Sequence, residues 1–111
     1  MPDRVRRVAA LVKQNVASIL ITDAPRAQMR WITITDCVMT RDLKVAKLYY
    51  TSIERNLTHQ EAGKILSEDK AEIRRRLAKR IVLKYLPDLS FVWDRSVLIE
   101  EKLREIKDGK P

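Results

Sequence analysis

Residues 70–86 carry seven basic side chains, Lys70, Arg74, Arg75, Arg76, Lys79, Arg80 and Lys84, against one acid, Glu72. Cations packed this closely repel one another, and the partner that best relieves a row of Lys and Arg is a phosphate backbone, whose counterions are released as each phosphate is neutralised. A charge run is more often a plain solvated helix surface, but such surfaces usually mix signs and this one scarcely does. Residues 1–30 hold six bases against two acids, whereas 31–69 and 87–111 each hold five bases against six acids. The whole excess behind the net charge of +8 therefore lies in two segments, the footprint of a polyanion-binding face.

Other chemistry is thinly provided for. The chain has 1 His and 1 Cys, His59 and Cys37, far apart in sequence, so neither an ordinary zinc site nor a nucleophile–base pair is indicated. His59 reads as a first-turn surface residue of a helix, and Cys37 as a small buried hydrophobe in a strand. Asp36, Asp42 and Asp94 fall at strand ends and turns, where Asp bonds local backbone. With 2 glycines, Gly-rich phosphate loops of the Walker or dinucleotide kind are excluded. No catalytic residue, metal, cofactor or small-molecule substrate is expected, and a nuclease would lack the His pair or metal set it needs. A single cysteine allows no internal disulfide and fits a reducing compartment, the cytoplasm. No apolar run approaches the roughly 20 residues that cross a bilayer. The apolar stretch after Arg4, Arg6 and Arg7 is cut by Lys13, Gln14 and Asn15, which argues against a signal peptide and leaves a domain helix as the better use of this start.

The elements that must position these cations follow from periodicity. Val5, Val8, Val12, Val16, Ile19 and Leu20 recur at steps of three and four, which predicts an amphipathic helix over 4–20, with Asp3 as its cap and Pro25 beyond its end. Residues 29–39 have strand composition, with Ile32 and Ile34 on one face. A Thr40-Arg41-Asp42 turn leads to a second strand over 43–53, in which Tyr49 and Tyr50 point to opposite faces. Thr58-His59-Gln60-Glu61 is a capping box that starts a short helix burying Ala62, Ile65 and Leu66. A second cap at Ser67 starts another helix, running to about Val82 and burying Leu66, Ile73, Leu77 and Ile81. Leu86-Pro87 closes that region, residues 89–93 form a third strand, and a last helix over 97–107 buries Ile99, Leu103 and Ile106. The chain is thus read as one α+β domain over 1–106 with a polar tail at 107–111. Its αββααβ order, plus an additional C-terminal helix and a three-stranded sheet packed by helices, matches the KH fold of type II. The junction of the two central helices should turn amide groups and a positive dipole end towards solvent, which suits a phosphate.

On these elements the chain resembles the ribosome-binding factor A family from about Arg4 to Ile106. One anchor is Trp31-Ile32-Thr33-Ile34-Thr35-Asp36, then Thr40-Arg41-Asp42-Leu43 and Ala46-Lys47-Leu48-Tyr49-Tyr50-Thr51. The other is Ile73-Arg74, Leu77, Ile81, Leu83-Lys84, Pro87-Asp88-Leu89 and Phe91, ending at Asp94. Three departures stand out: Ala24-Pro25-Arg26 replaces the family's Asp-Pro-Arg, Asp69-Lys70-Ala71 replaces its Ala-x-Gly helix kink, and the segment between Asp94 and Ile99 is shortened. The resemblance implies a cytoplasmic factor, KH-like and not an enzyme, that associates with free or precursor 30S subunits. It further implies help in late 16S rRNA maturation, most needed in the cold. The alternative is a basic structural or interaction protein of the ribosome, or a general RNA-binding module.

Nine residues are expected to contact RNA. On a helical wheel Arg75 and Lys79 lie opposite the Ile73, Leu77 and Ile81 stripe, with Arg74 and Arg76 on its shoulders; Lys70 and Lys84 sit at the two ends of the run. Arg26, Arg30 and Arg41, with Lys44, flank the hairpin and extend the same surface, or serve as ordinary loop charge. Arg80 projects near the buried face, so its stem packs and its head snorkels outward. Trp31 and Trp93 have the ring for base stacking, but their strand positions favour packing. A monomer without membrane contact is expected.

Overall fold

The computed structural model describes residues 4–52 and 57–96. In chain order it contains α1 (Arg4–Thr22), a short 3-10 turn (Ala27–Trp31), β1 (Ile32–Met39), β2 (Val45–Ser52), α2 (His59–Glu68), α3 (Lys70–Ala78) and β3 (Asp88–Trp93). The expected KH-like αββααβ order is present. The final helix expected over 97–107, the tail and the Asp3 cap lie outside the described residues.

β2 is the central strand, antiparallel to β1 and parallel to β3. Register partners share a sheet face, so Ile34, Tyr50 and Trp93 form one row, Cys37, Leu48 and Phe91 the next, and Met39, Ala46 and Leu89 the third. The helices cover this face. The α1 stripe is buried as its spacing predicts, with Val12, Val16, Ile19 and Leu20 at 0% exposure. Ile73 and Leu77 of α3 are likewise fully buried, each contributing about 2 kcal/mol of transfer free energy. Tyr50 is buried and Tyr49 half-buried on the opposite face, as expected for neighbours in a strand.

Several boundaries differ from the sequence reading, each for a local reason. The first strand starts at Ile32 rather than 29, because Arg26 to Trp31 close a 3-10 turn in which the Met29 amide donates to the Arg26 carbonyl at 3.1 Å. Trp31 is therefore in a turn, not a strand. Within β1 a bulge falls between Ile34 and Asp36. It shifts the buried set from Ile32 and Ile34 to Cys37 and Met39; without it Asp36 and Val38 would face the core. The bulge residue Thr35 donates its hydroxyl to the Asp94 carboxylate just after β3.

The second strand begins at Val45, since Leu43 adopts φ 62° inside the turn. Thr40 organises that turn. Its amide donates to the Val45 carbonyl at 3.0 Å and its hydroxyl donates to Asp42 at 2.7 Å. Asp42 in turn accepts the Lys44 amide at 3.1 Å. The two hydroxyl and amide bonds hold the Asp42 carboxyl below its usual pKa.

Thr58 caps α2 by accepting the Glu61 amide at 3.1 Å, as the capping box requires. Ser67, however, is not a cap. It lies inside α2, and the helices break one residue after Glu68, at Asp69 (φ −103°, ψ 14°). Leu66 accordingly belongs to α2. That backbone geometry is open to any L-residue, so no glycine is needed at the break. α3 ends at Ala78 instead of Val82, with Lys79 and Arg80 in a closing turn that brings the Ile81 amide to the Leu77 carbonyl at 3.2 Å.

One contact between α2 and the sheet is unusually close. A Cβ added at Gly63 would stand 2.8 Å from the Tyr50 hydroxyl, but 4.0 Å from the ring carbon that bears it. Gly63→Ala should therefore cost about 1–3 kcal/mol through overpacking. In a Tyr50→Phe background the same change should be neutral or stabilising by up to about 1 kcal/mol, the helix advantage of Ala over Gly. Urea unfolding of the four chains measures the coupling.

Candidate nucleic-acid interface

The basic run of 70–86 splits three ways once α3 is folded. Arg76 turns towards the C-terminal end of α1, whose last turn has no basic residue of its own. Its guanidinium donates to the Asp23 carbonyl, stands 3.4 Å from the Asp23 carboxylate, and places Nε 2.7 Å from Glu72. Arg80 follows, donating to Ser18 Oγ at 2.9 Å and approaching Asp23 at 3.9 Å. Two guanidiniums thus complement the negative pole of α1. The Arg80 head, expected to snorkel into solvent, instead finds α1, because the helix turn at Lys79 and Arg80 directs it there.

Arg74 points the other way. Its Nε donates to the Pro87 carbonyl at 2.9 Å and its Nη2 to the Leu86 carbonyl at 2.7 Å, with Asp88 at 3.7 Å. This fork satisfies two carbonyls of a segment that has no regular structure of its own. Arg74 and Arg76, expected on the shoulders of an RNA-facing helix, are thus engaged by the chain itself.

Arg75 and Lys79 project outward as the wheel predicts. Arg75 is 57% exposed and shares Glu72 with Arg76. Lys70 and Lys79 are exposed and, among the described residues, their side chains make no hydrogen bond or salt bridge. The same holds for Arg41 in the hairpin turn. Arg30 lies 4.9 Å above the Trp31 ring, a cation–π contact. Lys84 stands 5.7 Å from the ring centroid of Tyr85.

The α2–α3 junction differs from its expected role. Arg26 reaches it from the 3-10 turn and pairs with Asp69 at 2.7 Å and Glu68 at 2.9 Å. Two carboxylates at the break repel a phosphate, so this is no ready anion cradle. The cation there serves to hold the loop after α1 onto the helix break.

His59 is exposed, yet its ring lies 4.7 Å from that of Trp93. Trp93 also meets Tyr50 edge-on at 5.5 Å. Trp93 therefore packs rather than stands ready for a base. Among the described residues no group of three or more His, Cys, Asp or Glu could hold a metal, and no helix is long and apolar enough to cross a membrane. Cys37 is buried, as read from the strand pattern. The sequence reading passed over Tyr85, which is 74% exposed. An aromatic next to a lysine and just ahead of Leu86-Pro87 was the available signal.

A family model described as Ribosome-binding factor A matches residues 4–107. The chain belongs to that family. It is similar to ribosome-binding factor A of Desulfatibacillum aliphaticivorans, at 34% identity over 107 residues covering 93% of this chain and 87% of the relative. To that of Coxiella burnetii it is 35% identical over 97 residues, covering 87% and 81%. The fold agrees with the crystal structure of ribosome-binding factor A from Thermus thermophilus, with a TM-score of 0.66 at 21% identity over 81% of this chain and 96% of that one. A Thermus thermophilus ribosome-binding factor A homology model, fitted into a cryo-electron microscopy map of its complex with 30S, superposes with a TM-score of 0.64 at 22% identity over 78% and 91%.

Two titrations test the site's electrostatics. The bonds from Arg75 and Arg76 hold the Glu72 carboxyl down from 4.5 to about 2. A depressed acid stabilises the fold fully above its unfolded value and loses that effect as pH falls through its folded one. The melting temperature of Glu72→Gln should therefore fall short of the parent above pH 4.5, and the gap should close towards pH 2. For Cys37, burial chiefly, then the charge of Asp36, pushes the thiol up from 9.0 to about 11. Alkylation by iodoacetamide at mildly alkaline pH should run at least about a hundredfold slower in the native chain than in urea, since only the thiolate reacts and the buried sulfur is also shielded from the reagent.

Proposed function

We propose that this chain associates with free or precursor 30S subunits and assists late 16S rRNA maturation by binding rRNA, with no chemistry of its own. Family membership supports the ribosomal target, and the fitted 30S complex of the Thermus thermophilus relative supports the small subunit in particular. The observation that carries RNA contact is that Arg75 and Lys79 leave α3 on the side opposite its buried stripe, with Lys70 exposed at the helix start. Arg41 and Lys84 add exposed cations from the β1–β2 turn and the segment before β3. Arg26, Arg74 and Arg76 contribute positive potential from positions fixed by internal bonds, and Arg30 from above the Trp31 ring.

The mechanism is differential binding. A factor that prefers one rRNA conformation shifts the population towards it, by no more than its preference for that state. Demand is greatest in the cold, where wrongly paired helices dissociate slowly. The chain acts as a monomer in the cytoplasm.

Sedimentation of a cell lysate through a sucrose gradient tests the assignment. The protein should travel with free small subunits and be absent from 70S particles; retention on 70S particles at high salt would make it a structural subunit protein instead. At the residue level, Arg75→Ala with Lys79→Ala should weaken 30S association. The slope of log affinity against log salt should also flatten, by about one for each phosphate the variant no longer neutralises. An unchanged slope would remove both residues from the interface.

A further inference from the structure

Between the start of α1, the β1–β2 turn and the segment leading into β3 lies a groove of about 530 Å³. Its floor is apolar, formed by Val8, Leu43, Leu83 and Leu86. Its rim is cationic: Arg4, Lys44 and Lys84 line it, and among the described residues none of their side chains makes a salt bridge. The two acids that also line it are otherwise occupied, Asp42 within the turn and Asp88 beside Arg74.

The wall carrying Tyr85 is fixed in place. Arg74 holds the Leu86 and Pro87 carbonyls, the Asp88 amide donates to the Lys44 carbonyl at 2.8 Å, and Ile81 and Pro87 are buried on either side. Tyr85 stands between these anchors and remains 74% exposed, with the Lys84 ammonium beside its ring. An exposed aromatic at the edge of an apolar groove, with cations around it, matches how unpaired nucleotides are recognised: the base stacks while its phosphates meet Lys and Arg.

We propose that this groove takes an unpaired RNA nucleotide, its base stacked on Tyr85 and its flanking phosphates met by Arg4, Lys44 and Lys84. The site rests on the RNA-binding reading above and adds a preference to it. The outward cations of α3 read only charge, and so do not distinguish a duplex from a single strand; the groove admits a base only where pairing has left one free.

Fluorescence anisotropy of the full chain, with a labelled mixed-sequence single-stranded RNA and a blunt RNA duplex, tests this. The parent should bind the single strand more tightly. Tyr85→Ala should weaken single-strand binding about tenfold and leave duplex binding unchanged, whereas Tyr85→Phe should bind as the parent does. Single-strand binding that survives Tyr85→Ala overturns the groove. If Arg75→Ala with Lys79→Ala still weakens both RNAs in that case, the general RNA reading stands alone. A parent that binds neither RNA overturns both.

Discussion

The packing of Ile73 and Leu77 into the core is the constraint on which the rest of the structure depends, and the contacts from Glu72 through Arg76 to Asp23 follow from it. α3 has to lay Ile73 and Leu77 into the core, and doing so brings three consecutive guanidiniums close to one another and to the end of α1. Glu72 takes two of them, the α1 terminus takes Arg76 and Arg80, and the carbonyls before β3 take Arg74. Mutual repulsion is thereby turned into attachments that tie α3 to α1 and to the strand it precedes. After this sorting Arg75, which shares Glu72, and Lys70 and Lys79, which make no salt bridge among the described residues, point to solvent.

Much of the fold was legible from spacing alone, because packing obeyed it. The α1 stripe, the capping box at Thr58 and the opposite exposures of Tyr49 and Tyr50 all follow from helical and strand periods. The misplaced boundaries share one cause: backbone geometry that side-chain type does not announce. Nothing in the residue types marks Thr35 as a bulge, Leu43 as left-handed, or Asp69 rather than Ser67 as the helix break. Two of these involve partners distant in sequence, Asp94 for Thr35 and Arg26 for Asp69.

The candidate site was half legible for a related reason. Composition reports how many cations a segment holds, and the wheel reports which side of α3 they leave from; neither reports which acceptors wait there. Arg75 and Lys79 point outward as expected, while Arg74, Arg76 and Arg26 meet carbonyls and carboxylates contributed by other parts of the chain. The helices break at Asp69, and the carboxylates there draw Arg26.

Ultraviolet cross-linking of the full chain to free 30S subunits, with mass spectrometry of the RNA-bearing peptides, locates the interface most directly. If α3 and the segment after it face the rRNA, the cross-linked peptides should fall within 70–86, with others around the β1–β2 turn. Cross-links confined to the sheet face opposite the described helices, around Lys47 and Tyr49, with none in 70–86, would contradict it.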